Sequence, residues 1–156
     1  MKGNPKVISA LNNALAEELT AISQYMVHSE MYDNWGYERL HKKFEKTAMD
    51  EMKHAEKLIA RIIFLEGRPT VSDLKKFHIG ADAKAMISND LANELGAVKL
   101  YNELVALAAE LGDNGTREMV ESILKDEEGH VDMEEAQLDQ IGQMGIQNYL
   151  AEQTKE

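Results

Sequence analysis

Two motifs of one type, Glu-x-x-His, stand out in this sequence. Glu51 and His54 form the first, and Glu127 and His130 form the second, 76 positions further along the chain. Residues three apart on an α-helix share a face, so each glutamate and histidine can reach one metal ion. Carboxylate and imidazole ligands, in a chain without cysteine, favour iron or manganese over a structural zinc ion. The repeated motif therefore predicts a metal centre.

The same offset of 76 positions relates Glu18 to Glu94 and Tyr25 to Tyr101. The chain therefore resembles two copies of one helical hairpin, each with a lone glutamate followed by a Glu-x-x-His motif. Pairing the hairpins brings four carboxylates and two imidazoles together, as in ferritin-like di-metal bundles. Two divalent cations would balance the four carboxylate charges, which are otherwise costly to bury.

The motifs also predict a role for each ligand. Glu51 and Glu127 are expected to bridge the two metals, because each leads a Glu-x-x-His motif. The other ligands are expected to be terminal: Glu18, His54, Glu94 and His130. Such a set leaves open coordination positions, which suits iron or manganese reacting with O2 or peroxide. Tyr25, two turns after Glu18, is expected to donate a hydrogen bond to a ligand carboxylate or to supply an electron, with a purely structural role as the alternative.

Three aspartates are candidates to hold the imidazoles from outside: Asp50, Asp126 and Asp90. A single Glu-x-x-His motif is more often a solvated helix pair than a metal site, and the duplication decides in favour of metal. The remaining histidines are not part of a Glu-x-x-His motif and are expected to be structural or to lie at the surface: His28, His41 and His78.

Composition limits the classes of partner. The chain has 156 residues, a net charge of −11, 44% hydrophobic residues and no cysteine. Disulfide scaffolds, iron–sulfur clusters, zinc ribbons and thiol nucleophiles are excluded, and the acidic surface disfavours nucleic acid and anionic membranes as partners. No apolar run is long enough to span a membrane, and the first residues do not read as a signal peptide. We expect a cytoplasmic protein.

The elements that must position these residues are helices. The pattern predicts a single all-α domain over residues 1–156, a ferritin-like four-helix bundle with a long crossover between the second and third helices and a short fifth helix. The expected helices are about Pro5–Trp35, Tyr37–Glu66, Asp82–Leu111, Asn114–Ile141 and Ile146–Gln153. Asn4 followed by Pro5 is typical of a helix start.

Met52, inside the first motif, is predicted to point out of the bundle, because successive residues turn by about 100° around a helix. Ile59 and Ile63 follow it, and the first helix offers Leu19 and Met26 away from its ligand face. An outward apolar stripe implies a partner subunit. Across a twofold axis two Met52 thioethers can bind one haem iron; ordinary interface packing is the alternative.

Over essentially its whole length the chain closely resembles the bacterioferritins, a branch of the ferritin family. Five segments carry the resemblance: MKGNPKVISALNNAL, EMKHAEKLIARIIFLEG, DLANELGA, ILKDEEGHVDMEE and QMGIQNYL. The resemblance implies a homo-oligomeric shell of 24 subunits built from twofold dimers. It also implies a di-iron ferroxidase that oxidises Fe(II) with O2 or H2O2 and stores ferric mineral in the cavity.

The resemblance implies the same six ligands that the spacing predicts. It also implies haem b bound through Met52, one per twofold dimer, and a ferredoxin as a possible reductant for iron release. Lys46 and Thr47 depart from the family, many members of which carry His and Glu there to form an inner-wall iron site with Asp50. Two rival functions stay open from the sequence: a shell-less di-iron peroxidase resembling rubrerythrin, and a non-enzymatic haem-binding bundle.

Overall fold

The computed structural model describes all 156 residues, which form five α-helices and no β-strand. The helices are α1 (Pro5–Asn34), α2 (Glu38–Phe64), α3 (Ala83–Glu110), α4 (Asn114–Met144) and α5 (Ile146–Gln153). α1 packs chiefly on α2, and α3 chiefly on α4, as two hairpins joined by a long connection. The predicted all-α bundle with a short fifth helix is confirmed. None of the helices is both long and apolar enough to cross a lipid bilayer.

The ends of the helices follow local chemistry. The Asn4 side chain accepts a hydrogen bond from the Lys6 amide, and Pro5 occupies the first turn of α1, as predicted. The predicted end of the fourth helix at Ile141 is wrong, because α4 continues through Gly142 to Met144. A single glycine inside a helix costs only about 1 kcal/mol relative to alanine. The helix ends at Gly145, where φ is +80°.

The connection between α2 and α3 runs along α1 for most of its length. Its backbone amides donate hydrogen bonds to side chains on one face of α1: Thr70 to Asn12, Lys75 to Thr20, His78 to Gln24 and Gly80 to His28. These contacts explain why polar side chains of α1 are buried on that face, since the amides of the connection need acceptors. The connection therefore crosses the length of the first hairpin, and α3 begins three residues after Gly80, close to His28 of α1.

The interior is divided into two apolar clusters. One contains Leu11, Leu15, Leu58 and Ile62, and the other contains Tyr32, Leu40, Phe44, Met86 and Tyr149. Along each of the four long helices, buried acidic residues and histidines lie between the residues of one apolar cluster and those of the other. Ionisable groups are rarely buried unless they pair or bind metal, so this layer is the place to look for function.

Candidate metal centre

The six side chains predicted as ligands meet in the middle of the bundle. α1 and α3 each contribute one glutamate, and α2 and α4 each contribute a Glu-x-x-His motif. All six are buried: Glu18, Glu51, His54, Glu94, Glu127 and His130. Their ligand atoms form two overlapping groups, within each of which the atoms lie within 4.8 Å of one another. Glu51 and Glu127 belong to both groups, which is the placement expected of carboxylates that bridge two ions.

Each imidazole turns its Nδ1 atom toward the carboxylates. His54 Nδ1 lies 2.8 Å from Glu51 Oε2 and 2.9 Å from Glu127 Oε1. His130 Nδ1 lies 3.3 Å from Glu51 Oε1, and 3.4 Å from Glu94 Oε1 and Glu127 Oε2. The Nδ1 atoms are therefore the ones placed to bind metal, a detail that the spacing of the motifs does not specify.

The outer nitrogen of each imidazole faces the aspartate that precedes the other motif. His54 Nε2 is 3.0 Å from Asp126 Oδ2, and His130 Nε2 is 3.6 Å from Asp50 Oδ2. Asp50 also forms a 2.8 Å ion pair with Lys46. Both aspartates thus stand where an acceptor could fix an imidazole tautomer, each across the bundle from its own motif.

Asp90, the third predicted acceptor, does not reach the centre, and that prediction is wrong. Its Oδ2 lies 2.8 Å from His28 Nδ1, and its Oδ1 accepts a 2.8 Å hydrogen bond from Gln24 Nε2. His28 Nε2 accepts from the Gly80 amide, so its Nδ1 carries the proton and donates it to Asp90. The group fastens the interhelical connection to α1, and His28 is a structural histidine, as predicted.

Burial and mutual repulsion divide the four carboxyl groups into two kinds. Burial, followed by the charges of Glu18 and Glu94, raises the pKa of Glu51 well above its usual value. Burial likewise raises the pKa of Glu127 to about 8. Burial acts in the same direction on Glu18 and Glu94, but contacts with the adjacent imidazoles outweigh it and lower the pKa of both, that of Glu94 to about 2.

The two imidazoles complete the charge balance. Burial opposes a charge on His54 and His130, yet the surrounding carboxylates outweigh it and raise the pKa of both far above the usual value. These shifts favour a metal-free centre in which two imidazolium cations pair with the carboxylates of Glu18 and Glu94, and Glu51 and Glu127 are neutral acids. Without metal, bound protons balance the negative charge of the buried carboxyl groups, which divalent cations would otherwise balance.

Several polar atoms of the centre are buried without a hydrogen-bond partner: Glu94 Oε2, both carboxyl oxygens of Glu127, and His130 Nδ1. His54 Nδ1 lies 2.9 Å from Glu127 Oε1 without forming a hydrogen bond, so that oxygen is unsatisfied. An unsatisfied buried polar group costs about 1–3 kcal/mol. Bound cations would supply the missing partners, and a set of carboxylate oxygens with two imidazole nitrogens suits iron or manganese. The residues present fit a di-metal centre.

Each terminal glutamate is held by a tyrosine from the other hairpin. The Tyr25 hydroxyl on α1 contacts Glu94 Oε1 on α3, and the Tyr101 hydroxyl on α3 contacts Glu18 Oε1 on α1. The contact of Tyr25 with a predicted ligand agrees with the sequence-based expectation. The role of Tyr101 was missed, although its offset from Tyr25 was the signal that could have revealed it. The Tyr25 hydroxyl also lies 2.6 Å from Glu134, a buried acid that was missed as well.

Met52 lies on the outer side of α2 and is 45% exposed. It lines a surface pocket with Met26, which is 54% exposed, and Ile63 is exposed further along α2. Leu19 and Ile59, predicted to extend the outward stripe, instead are partly buried and pack against the core. Of the predicted outward stripe, only Met26, Met52 and Ile63 are therefore exposed.

The chain is similar to known proteins over nearly its whole length. The ferritin-like domain family matches residues 8–144. The chain is 45% identical to the bacterioferritin of Rhodobacter capsulatus over 149 residues, which cover 96% of this chain and 92% of that protein. It is 42% identical to the bacterioferritin of Brucella melitensis over 149 residues, with the same coverage. It is 38% identical to the bacterioferritin of Mycolicibacterium paratuberculosis over 152 residues, covering 97% and 96% of the two chains.

Proposed function

The chain belongs to the ferritin-like domain family and, within it, to the bacterioferritins, and from this premise we propose that it is a ferroxidase. In this proposal the protein oxidises Fe(II) with O2 or H2O2 and stores the ferric product as mineral. Iron storage is the role that membership in the family supports directly. The observation that carries the finer proposal is the buried cluster of six ligands, several of whose atoms lack any partner within the protein.

The substrate Fe(II) would be held at two adjacent positions. Glu51 and Glu127 would bridge the two ions, and each position would be completed by one glutamate and one imidazole Nδ1. Bound iron supplies the electrons that reduce O2 or H2O2. The protein positions the iron ions and balances their charge with carboxylates. Tyr25 orients the terminal ligand Glu94, and Tyr101 orients the terminal ligand Glu18, each by contact with one carboxylate oxygen. The other oxygen of Glu94 is buried without a partner and is left for the metal.

A narrow pocket beside the centre would give the substrate a route to it. It is lined by the four ligand glutamates and extends past Glu17 and Asn93 to Lys75 and Lys76 of the connection between α2 and α3. The acidic walls attract Fe(II) and so raise its local concentration. We place the path of Fe(II) between α1 and α3 for this reason.

The remaining parts of the proposal concern assembly and electron delivery. Two Met52 side chains facing each other across a twofold axis would bind one haem b, and twelve such dimers would form the 24-subunit shell. The exposed Met26, Met52 and Ile63 support burial of this face against a second copy of the chain. A ferredoxin is the proposed reductant for iron release, and the proposed location is the cytoplasm.

An anaerobic Fe(II) titration of the metal-free protein tests the central proposal. We expect binding to saturate at two Fe(II) per subunit. Rapid mixing with O2 or H2O2 should then produce ferric absorbance much faster than the same Fe(II) does in buffer alone. Oxidation no faster than in the buffer control would contradict the ferroxidase and favour a non-enzymatic haem-binding bundle.

Gel filtration tests the shell separately. The shell predicts a single large particle of 24 subunits. A particle at the 17.5 kDa subunit mass or at twice that mass would eliminate the shell and favour the peroxidase alternative that resembles rubrerythrin.

A further inference from the structure

Glu134 is a completely buried acid outside the six-ligand cluster. It lies on α4, one turn after His130, and its exposed fraction is 0%. Its Oε1 lies 2.6 Å from the Tyr25 hydroxyl oxygen, and its Oε2 has no hydrogen-bond partner. No lysine or arginine forms an ion pair with it, and an isolated ionised carboxylate is very costly to bury. The surroundings of Glu134 therefore favour the neutral acid.

Counting hydrogens supports the same state. The Tyr25 hydroxyl oxygen is in hydrogen-bond contact with Oε1 of both Glu94 and Glu134. A phenol has one hydrogen, so the second contact requires another proton, carried by one of the two carboxyl groups.

Glu134 is the carboxyl group that carries it. Glu94 Oε1 has an imidazole nitrogen, His130 Nδ1, only 3.4 Å away. Glu134 forms no ion pair with a histidine, lysine or arginine, and it is completely buried. Burial, and then the negative charges of Glu94 and Asp90, raise the pKa of Glu134 to about 10.

We propose that Glu134 is a neutral carboxylic acid that donates a hydrogen bond to the Tyr25 hydroxyl oxygen and so commits the Tyr25 proton to Glu94 Oε1. Glu134 is thus a positioning residue that acts through Tyr25 on a ligand. Glu94 Oε2 stays free for metal, because the tyrosine engages the other oxygen. The effect on Fe(II) oxidation rests on the proposed function, whereas the protonation of Glu134 does not.

The two halves of the bundle differ at this point. Tyr101, which corresponds to Tyr25, contacts the ligand Glu18. The position 76 residues before Glu134 is Leu58, which is fully buried in the apolar core. The buried acid is therefore present in the second hairpin and absent from the first. The change E134L gives the second half the residue that the first half already accommodates, so this variant should fold.

Infrared difference spectroscopy of the metal-free protein at neutral pH tests the protonation. The wild-type minus E134Q spectrum should contain the C=O stretching band of one protonated carboxylic acid. The matched control E135Q changes an exposed acid on the same helix and should alter only carboxylate bands. A wild-type minus E134Q spectrum without a protonated-acid band would overturn the proposal, even if the protein oxidises Fe(II) rapidly.

Steady-state Fe(II) oxidation tests the positioning role. E134L should raise KM for Fe(II) about three- to tenfold, the change expected from the loss of one hydrogen bond, with a smaller change in kcat. E134Q should restore most of this loss, because its amide N–H can donate to Tyr25. In a Tyr25→Phe background, E134L should add nothing to KM. An equal effect of E134L in both backgrounds, or an E134Q as impaired as E134L, would contradict an action through Tyr25.

Discussion

His54 Nε2 on α2 lies 3.0 Å from Asp126 Oδ2 on α4, so each motif is supported by the hairpin that carries the other. The corresponding pair in the opposite direction, His130 and Asp50, is longer at 3.6 Å, and Lys46 competes for the same aspartate oxygen at 2.8 Å. The centre is therefore built across the two hairpins rather than within either one. The two halves differ in how firmly their imidazoles are held.

This difference predicts unequal effects of two matched substitutions. D126N should weaken metal binding by roughly tenfold, the lower end of the range for groups that orient a metal-binding histidine. D50N should weaken it less, because Asp50 is further from its imidazole and is shared with Lys46. Anaerobic titration with Fe(II) or Co(II) measures both affinities. The variant E128Q, an exposed acid beside Asp126, controls for the loss of charge; a D50N effect larger than that of D126N would contradict the asymmetry.

Metal loading should release protons. In the metal-free centre the pKa values of Glu51, Glu127 and both imidazoles are raised, which favours their protonated forms, so binding of two divalent ions at pH 7 should release up to about four protons per subunit. Because protons and metal compete, the apparent affinity should rise with pH. The release should decrease as the pH passes about 8, the pKa of Glu127. A pH indicator in weakly buffered solution measures the release during an anaerobic Fe(II) titration.

A release near zero at pH 7 would show that the carboxylates and imidazoles already stand ready in their metal-binding forms. Calcium at the same ionic strength is the control, since it disfavours imidazole ligands and should release far fewer protons.

Removing a terminal ligand should stop catalysis without unfolding the bundle. E18A and E94A should each lower the initial rate of Fe(II) oxidation by well over the roughly tenfold expected for a group that only orients a ligand. The buried apolar clusters do not include either residue, so helical content by circular dichroism should be unchanged. E103Q, an exposed acid on α3, is the control for E94A. Variants that oxidise Fe(II) at the wild-type rate would defeat the assignment of these ligands.

Replacing Met52 should separate haem binding from iron oxidation. M52L keeps the apolar surface but removes the thioether, so haem absorbance should disappear while the rate of Fe(II) oxidation is retained. Met49 lines the same surface pocket and is 56% exposed, so M49L is a matched control that should keep haem. Haem retained in M52L, or lost equally in M49L, would contradict the proposed ligand.

The sequence predicted the helices and the six-residue cluster because both depend on local spacing. Helical periodicity places Glu51 and His54 on one face, and the duplication of that motif with Glu18 and Glu94 identifies the shared interior. The error at the end of α4 arose because Gly142 was interpreted as a break, although a glycine with ordinary helical geometry is tolerated there.

The spacing of residues in the sequence could not predict features that depend on contacts between helices. Nothing in the sequence shows that Asp126 serves His54 or that Asp90 turns instead to His28, because these pairings depend on the relative heights of the helices. Glu134 is one of 28 acidic residues in an acidic chain, most simply interpreted as solvated. Only the position of the Tyr25 hydroxyl, contributed by another helix, reveals it as a buried partner.

The most direct test of the account is anomalous X-ray scattering at the iron edge from crystals loaded with Fe(II) under anaerobic conditions. The account predicts two iron peaks in each subunit, both in contact with Glu51 and Glu127, with Nδ1 of one imidazole bound to each. A single iron peak would contradict it. Iron bound elsewhere, with these six side chains in contact only with one another, would also contradict it.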